Sequence, residues 1–181
     1  MNRSESDRVA LRNLVAPGAT VDGLSLHAIA DADLAFAFDL YAQVRAAELA
    51  PVPWPEAAKR AFLLEQASLQ HQHYVANYPG ADLLLIEDAG VPIGRVYVYR
   101  SPGEIRLMDI ALIAARRNGG IGTRLLYVLM REAAAAGSKI TLHVEPDNPA
   151  RRLYLRLGFH LLEQRGVYDF LGWEPEASPA N

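Results

Sequence analysis

The sequence contains no cysteine. Disulfides, thiolate metal sites and a cysteine nucleophile are thereby excluded together, and the composition fits a reducing cytoplasm. No apolar run approaches the roughly 20 residues that span a bilayer, so no membrane partner is expected. The first residues lack the apolar core of a signal peptide: Arg3, Arg8 and Arg12 are mixed with Glu5 and Asp7. Residues 1–23 therefore read as a partly disordered leader. Charge of one sign is scarce too. The formal net charge is −3, which gives no reason to expect broad attraction to nucleic acid or to an anionic membrane.

What is present is an ordinary globular composition, 51% hydrophobic and 22% charged over 181 residues. That length suits one domain with one core. No internal repeat and no linker divides it, so a single domain over 24–173 is expected, with 174–181 a flexible tail. Leu24 to Ile29 alternates and predicts a strand. Asp31 is placed to cap a helix running to about Leu49, and Pro51, Pro53 and Pro55 break it before a second helix from Glu56 to about Ala76. The period then changes. Asp82 to Asp88 and Ile93 to Tyr99 predict a hairpin, Glu104 to Leu112 a further strand, and Leu125, Leu126, Leu129, Met130 and Ala133 one face of a helix ending near Gly137. Lys139 to Glu145 predicts a strand reached by a parallel crossover. A short helix capped by Asn148 and a closing hairpin about Arg165-Gly166 complete an α/β chain with a mixed sheet, ordered β-α-α-β-β-β-α-β-α-β-β.

The strand–turn–helix junction from Ile105 to Leu126 is the chemically informative stretch. Its turn, Arg116-Arg-Asn-Gly-Gly-Ile-Gly-Thr123, aims backbone N–H groups and the positive end of a helix dipole at whatever lies before it, a setting for a pyrophosphate. A Rossmann site requires a third glycine where Leu125 stands, and a Walker loop requires a lysine that is absent. A plain turn that merely starts a helix remains open on this stretch alone.

Downstream stands Asn148-Pro-Ala-Arg-Arg-Leu-Tyr-Leu-Arg-Leu-Gly-Phe159. Together, Arg117-x-x-Gly120-x-Gly122 and this block resemble the two signatures of the GCN5-related N-acetyltransferase (GNAT) superfamily, over roughly Leu24 to Trp173. The block is one residue shorter than the usual pattern between Asn148 and Tyr154, so a shifted helix start is expected. The resemblance implies the GNAT fold, with a bulge in the fourth strand, Glu104 to Leu112, splaying it from the fifth, Lys139 to Glu145. It implies acetyl-CoA as acyl donor and no metal. The backbone of Ile110, Ala111 and Leu112 would hold pantetheine and the thioester carbonyl. Arg117, Asn118, Gly119, Gly120, Ile121, Gly122 and Thr123 would hold the pyrophosphate, with Asn148 and Arg151 as further cofactor-binding residues.

Acetyl transfer needs a neutral amine, a stabilised oxyanion and a protonated leaving thiolate. Tyr154 matches the family tyrosine that protonates the coenzyme A sulfur; otherwise it is an aromatic on an apolar helix face with Leu153 and Leu157. His143 shares a strand face with Thr141 and Glu145, five residues before Asn148, where related enzymes carry a glutamate base. A histidine titrates in the right range for that task, although a hydrogen-bonded structural histidine is an equal reading. Asp109 is a candidate to orient the acceptor or to anchor a bulge, Glu48 to meet a cationic amine or to be a solvated face residue. Trp54, Tyr74 and Tyr78 line an acceptor pocket or pack as core aromatics. His71 and His73, two apart on a helix, point in different directions and make a poor metal pair.

These readings lead to an acetyl-CoA-dependent N-acetyltransferase acting by direct transfer to a primary amine, on a small molecule or a peptide N-terminus. A GNAT-fold acyl-CoA sensor or partner module is the alternative, and a nucleotide-binding oxidoreductase a distant third. Among relatives dimers are common, so a homodimer is compatible with the resemblance.

Overall fold

The computed structural model describes residues 13–175. Its strands are β1 (Thr20–Val21), β2 (Leu24–Ala28), β3 (Asp82–Asp88), β4 (Val91–Ser101), β5 (Glu104–Leu112), β6 (Lys139–Val144), β7 (His160–Arg165) and β8 (Tyr168–Trp173). Four α-helices intervene: α1 (Leu34–Arg45), α2 (Glu56–Asn77), α3 (Ile121–Ala136) and α4 (Ala150–Arg156). The strands form one mixed sheet in the order β1-β2-β3-β4-β5-β6-β8-β7. This is the expected element order with one strand added at the front.

That addition falls inside the stretch expected as a leader. Residues 1–12 lie outside the described chain, but Val15 is fully buried and Thr20–Val21 pairs antiparallel with Leu24–Ser25. Of the expected tail, residues 176–181 lie outside the described chain.

Packing divides the chain into two compact units, each assembled from separated segments. One comprises Ala16–Tyr97 and Asp109–Ile121. Here the apolar run of β3 supplies Leu84, Leu85 and Ile86, all fully buried, as expected of a strand covered on both faces. β2 pairs antiparallel with β3 from Leu24↔Asp88 to Ala28↔Leu84. Helices α1 and α2 pack on each other and bury Ala37, Leu40, Leu63 and Ala67. A buried leucine contributes roughly 2 kcal/mol through the water it sheds.

The other unit comprises the described residues up to Val15, Val98–Met108 and the chain from Gly122. Leu125, Leu126, Leu129 and Ala133 of α3 are buried, as are Ile140 and Leu142 of β6 and Leu171 of β8. The periodicity of α3 thus marked its core face, with Met130 only half-buried. Parallel pairing of β5 with β6 runs from Glu104↔Lys139 to Leu107↔Leu142 and ends there, although β5 continues to Leu112 and β6 to Val144. A buried ion pair ties down the N-terminal residues of this unit. Glu132 accepts from Arg100 Nε at 2.5 Å and from the Leu14 N–H at 2.9 Å, and Arg100 Nη2 donates to the Val15 carbonyl at 2.9 Å. Removing one partner would strand the other charge in the interior, which is why such pairs specify an arrangement more than they stabilise it.

Candidate active site

In the first unit the chain leaves β5 through a single 3-10 turn, Ala114–Arg116, and reaches α3 at Ile121. Arg116 is anchored by an ion pair to Asp88, and Arg117 Nε donates to the Leu112 carbonyl at 2.9 Å. The backbone then turns left-handed at Asn118 (φ 62°) and at Gly120 (φ 79°), conformations that asparagine and glycine tolerate best. The N–H groups of Arg116 and Arg117 are spent on Ile113 and Ala114. Those of Asn118, Gly119 and Gly120 donate to no acceptor among the described residues, and all three residues are exposed. Directly behind them α3 presents the free donors of its first turn. The result is a concentration of outward N–H groups and positive helix dipole beside Arg117, the chemistry that holds a phosphate.

Upstream, β4 and β5 approach closely at a glycine. A Cβ on Gly94 would lie 2.5 Å from the Ala111 carbonyl oxygen and 2.6 Å from Leu112 Cδ2. Only glycine fits there, and it sets the position of the backbone at Ala111 and Leu112. Next to it, Arg95 is 4% exposed and faces Asp109, with Nη2 2.6 Å from Oδ2. Sequence reasoning named Asp109 but neither Gly94 nor Arg95. The signal for Gly94 was available, since a glycine inside an alternating strand marks a bulge or a close approach.

In the second unit, β6 carries His143 on the same face as Thr141. The imidazole stacks on Phe170 of β8, with centroids 4.7 Å apart and planes tilted by 30°, and meets Tyr168 edge-on. Neither ring nitrogen has a hydrogen-bond partner among the described residues. Partial burial, then the nearby Arg106 and Arg165 cations, push its pKa below the ordinary histidine value, with Glu104 opposing weakly. Glu104 is itself engaged by Thr141 and Arg106, and these bonds outweigh burial to keep its carboxyl below its usual range.

Helix α4 begins at Ala150, two residues after Asn148. Asn148 Oδ1 accepts from the Ala150 N–H at 2.9 Å and its Nδ2 donates to Glu145 at 3.2 Å. Arg151 Nε donates to Asp169 Oδ2 at 2.7 Å, and that carboxylate is buried. Both side chains are therefore committed to holding α4 against its neighbours in this unit. Tyr154 is 6% exposed, packed 5.8 Å from the Phe159 ring, with its carbonyl accepting from the Phe159 N–H.

The remaining candidates are more dispersed. Glu48 pairs with Arg45 at 2.9 Å on an exposed 3-10 turn. Trp54 is exposed and edge-on to Phe62. Tyr74 is edge-on to both Tyr78 and Tyr97, and burial followed by the Asp109 charge pushes its hydroxyl pKa far up, so it is a neutral O–H donor. His71 packs edge-on to Phe38, and burial followed by the Arg95 charge lowers its pKa. Among the described residues no group of His, Asp and Glu could hold a metal ion, and no helix is long and apolar enough to cross a membrane.

Comparison with known proteins gives consistent results. The sequence model of the Acetyltransferase (GNAT) family matches residues 42–159. No curated protein sequence matches. Among solved structures, the chain is similar to the PaiA N-acetyltransferase of Thermoplasma acidophilum in complex with coenzyme A, at 15% identity, TM-score 0.65, and coverage of 84% of this chain and 99% of that one. It is similar to the ribosomal-protein-S18-alanine N-acetyltransferase of Escherichia coli at 17% identity and TM-score 0.58, covering 87% and 97%. Arabidopsis thaliana Naa50 in complex with the bisubstrate analogue CoA-Ac-MVNAL gives 17% identity and TM-score 0.53, covering 84% and 99%. At such identities these likenesses speak for the fold.

Proposed function

The chain belongs to the GNAT acetyltransferase family, and from that premise we propose that it transfers acetyl from acetyl-CoA directly to a primary amine, on a small molecule or a peptide N-terminus. The observation that carries the reading is the run of unpaired N–H groups at Asn118, Gly119 and Gly120, immediately before α3 and beside Arg117. Unpaired donors of this kind support a pyrophosphate-binding reading, and Ile121, Gly122 and Thr123 add the donors of the first helical turn.

When bound, acetyl-CoA supplies an acetyl thioester, whose carbonyl carbon the amine attacks while the thiolate departs. The backbone of Ile110, Ala111 and Leu112, approached closely by Gly94, would hold the pantetheine arm and the carbonyl. Tyr154 gives its phenolic proton to the departing sulfur. His143 takes the amine's proton; its lowered pKa keeps the imidazole neutral, and so able to accept, at physiological pH. Asn148 and Arg151 serve the site indirectly, by fixing the helix that carries Tyr154.

Acetyl-CoA is expected to bind and to raise the melting temperature; at a hundredfold excess over Kd the gain is about 2.7 kcal/mol. An unchanged melting curve together with no heat in calorimetry would refute the reading. Turnover of any amine, followed by coenzyme A thiol release, separates an enzyme from a module that only binds. For His143, the lowered pKa places the acid limb of the rate below the ordinary value of about 6.5. Falling pH protonates the base and slows the reaction. In His143→Ala this limb should vanish and the rate should drop by roughly a hundredfold, since water is a poorer proton acceptor. A pH–rate profile that keeps its limb in the variant excludes His143 as the base.

A further inference from the structure

Phe170 is the middle layer of a stack in the second unit. Strand β8 lies between β6 and β7, and the partners of Phe170 across the sheet are His143 on one side and Glu163 on the other. Arg165, two residues after Glu163, falls on the same sheet face. Its guanidinium carbon lies 3.8 Å from the Phe170 ring centroid. From the opposite flank the His143 ring lies 4.7 Å from that centroid, tilted by 30°. Phe170 therefore stands between an imidazole and a guanidinium.

The face of an aromatic ring carries partial negative charge and attracts a cation. Arg165 occupies one face permanently, because a guanidinium does not lose its proton. Its Nε donates to Glu163 Oε2 at 2.7 Å, which orients it along β7. The two side chains are 45% and 58% exposed, and an ion pair so exposed contributes little to stability. What the pair does is hold a charge against Phe170. The other groups whose charge acts on His143 are Arg106 and Glu104 of β5, bonded to each other at 3.2 Å. Tyr168 meets its ring edge-on, and Glu145, just past the end of β6, is bonded to Asn148.

We propose that Arg165 is a positioning residue for His143, fixing the Phe170 ring on which the imidazole rests and setting a permanent cation behind it. The inference rests on the acetyltransferase reading, in which His143 takes the amine's proton, and it names what keeps that imidazole ready. A second proton on His143 would put like charges on the two faces of one ring. Arg165 therefore favours the neutral imidazole, the direction in which burial, and then Arg106, also push. Arg165 acts through Phe170 and takes no part in bond making.

The His143 titration, followed by NMR of the imidazole ring protons in the protein without ligand, tests this in low-salt buffer, where exposed charges are least screened. Arg165→Met keeps a side chain against the ring and loses the charge. The His143 midpoint should then rise by roughly half a pH unit. Arg165→Lys retains the charge and should recover most of that shift. Glu163→Gln should move the midpoint the opposite way, because the guanidinium then lacks its neutralising carboxylate. Both positions are exposed on β7, so the substitutions leave the core intact. A midpoint unmoved in Arg165→Met, or moved in one direction by both Arg165→Met and Glu163→Gln, overturns the proposal. In the pH–rate profile the acid limb of Arg165→Met should shift to higher pH in step with the midpoint, with the plateau rate within about twofold. A midpoint that moves while the limb stays would instead remove His143 as the base, and failure to bind acetyl-CoA would overturn the acetyltransferase reading.

Discussion

Tyr154→Phe is expected to lower kcat by roughly a hundredfold or more while leaving acetyl-CoA affinity unchanged. The size follows from what a positioned acid contributes to a step in which a thiolate must be protonated. The selectivity follows from the packing. Tyr154 is almost entirely buried beside Phe159, on a helix fixed by Asn148 and by the Arg151–Asp169 pair. Phenylalanine keeps the ring and loses only the hydroxyl, so the fold should tolerate it, at the modest cost of that oxygen's own hydrogen bonding. Steady-state kinetics with calorimetric titration of coenzyme A reads both quantities. Unchanged kcat removes Tyr154 as the acid, and a lost affinity would make it a binding residue.

Gly94→Ala is the second large effect. The added methyl would lie 2.5 Å from the Ala111 carbonyl oxygen and 2.6 Å from Leu112 Cδ2. The leucine can rotate away, but the carbonyl belongs to the backbone, so β5 must shift. Overpacking of this kind costs about 1–3 kcal/mol. The shift falls on Ala111 and Leu112, the backbone assigned to the pantetheine arm. Acetyl-CoA affinity should therefore weaken by roughly tenfold, about 1.4 kcal/mol, in protein that melts cooperatively. A destabilised variant with full affinity would show that Ala111 does not hold the acyl donor.

Much of this was legible in the sequence because it is written in local patterns. The strand β3 is a continuous apolar run, α3 a regular apolar face, and the turn at Asn118–Gly120 a set of residues chosen for left-handed backbone. What escaped depends on partners distant in the chain. Arg95 in an alternating strand reads as outward-facing until α1 supplies the Ala37 carbonyl, 58 positions away. The pairing of Arg151 Nε with the buried carboxylate of Asp169, 18 positions on in β8, leaves no local trace in the sequence. Val15 lies in a stretch of mixed charge, and its backbone and that of Leu14 are bonded by Arg100 and Glu132, distant in the chain. Two residues of β1 are too few to show a period at all.

The short parallel pairing of β5 with β6 also has a consequence for how the chain is made. Its partners, Glu104–Leu107 and Lys139–Leu142, are 35 positions apart. At about 5–20 residues per second, β5 waits roughly 2–7 s on the ribosome for the strand that will cover its edge. An open edge is a template for the wrong partner. Along that edge Glu104 and Arg106 alternate with Ile105 and Leu107, and charges so interleaved discourage stacking on a neighbouring nascent chain. The same two side chains that later bond to each other beside Thr141 thus act first as gatekeepers of an unfinished sheet.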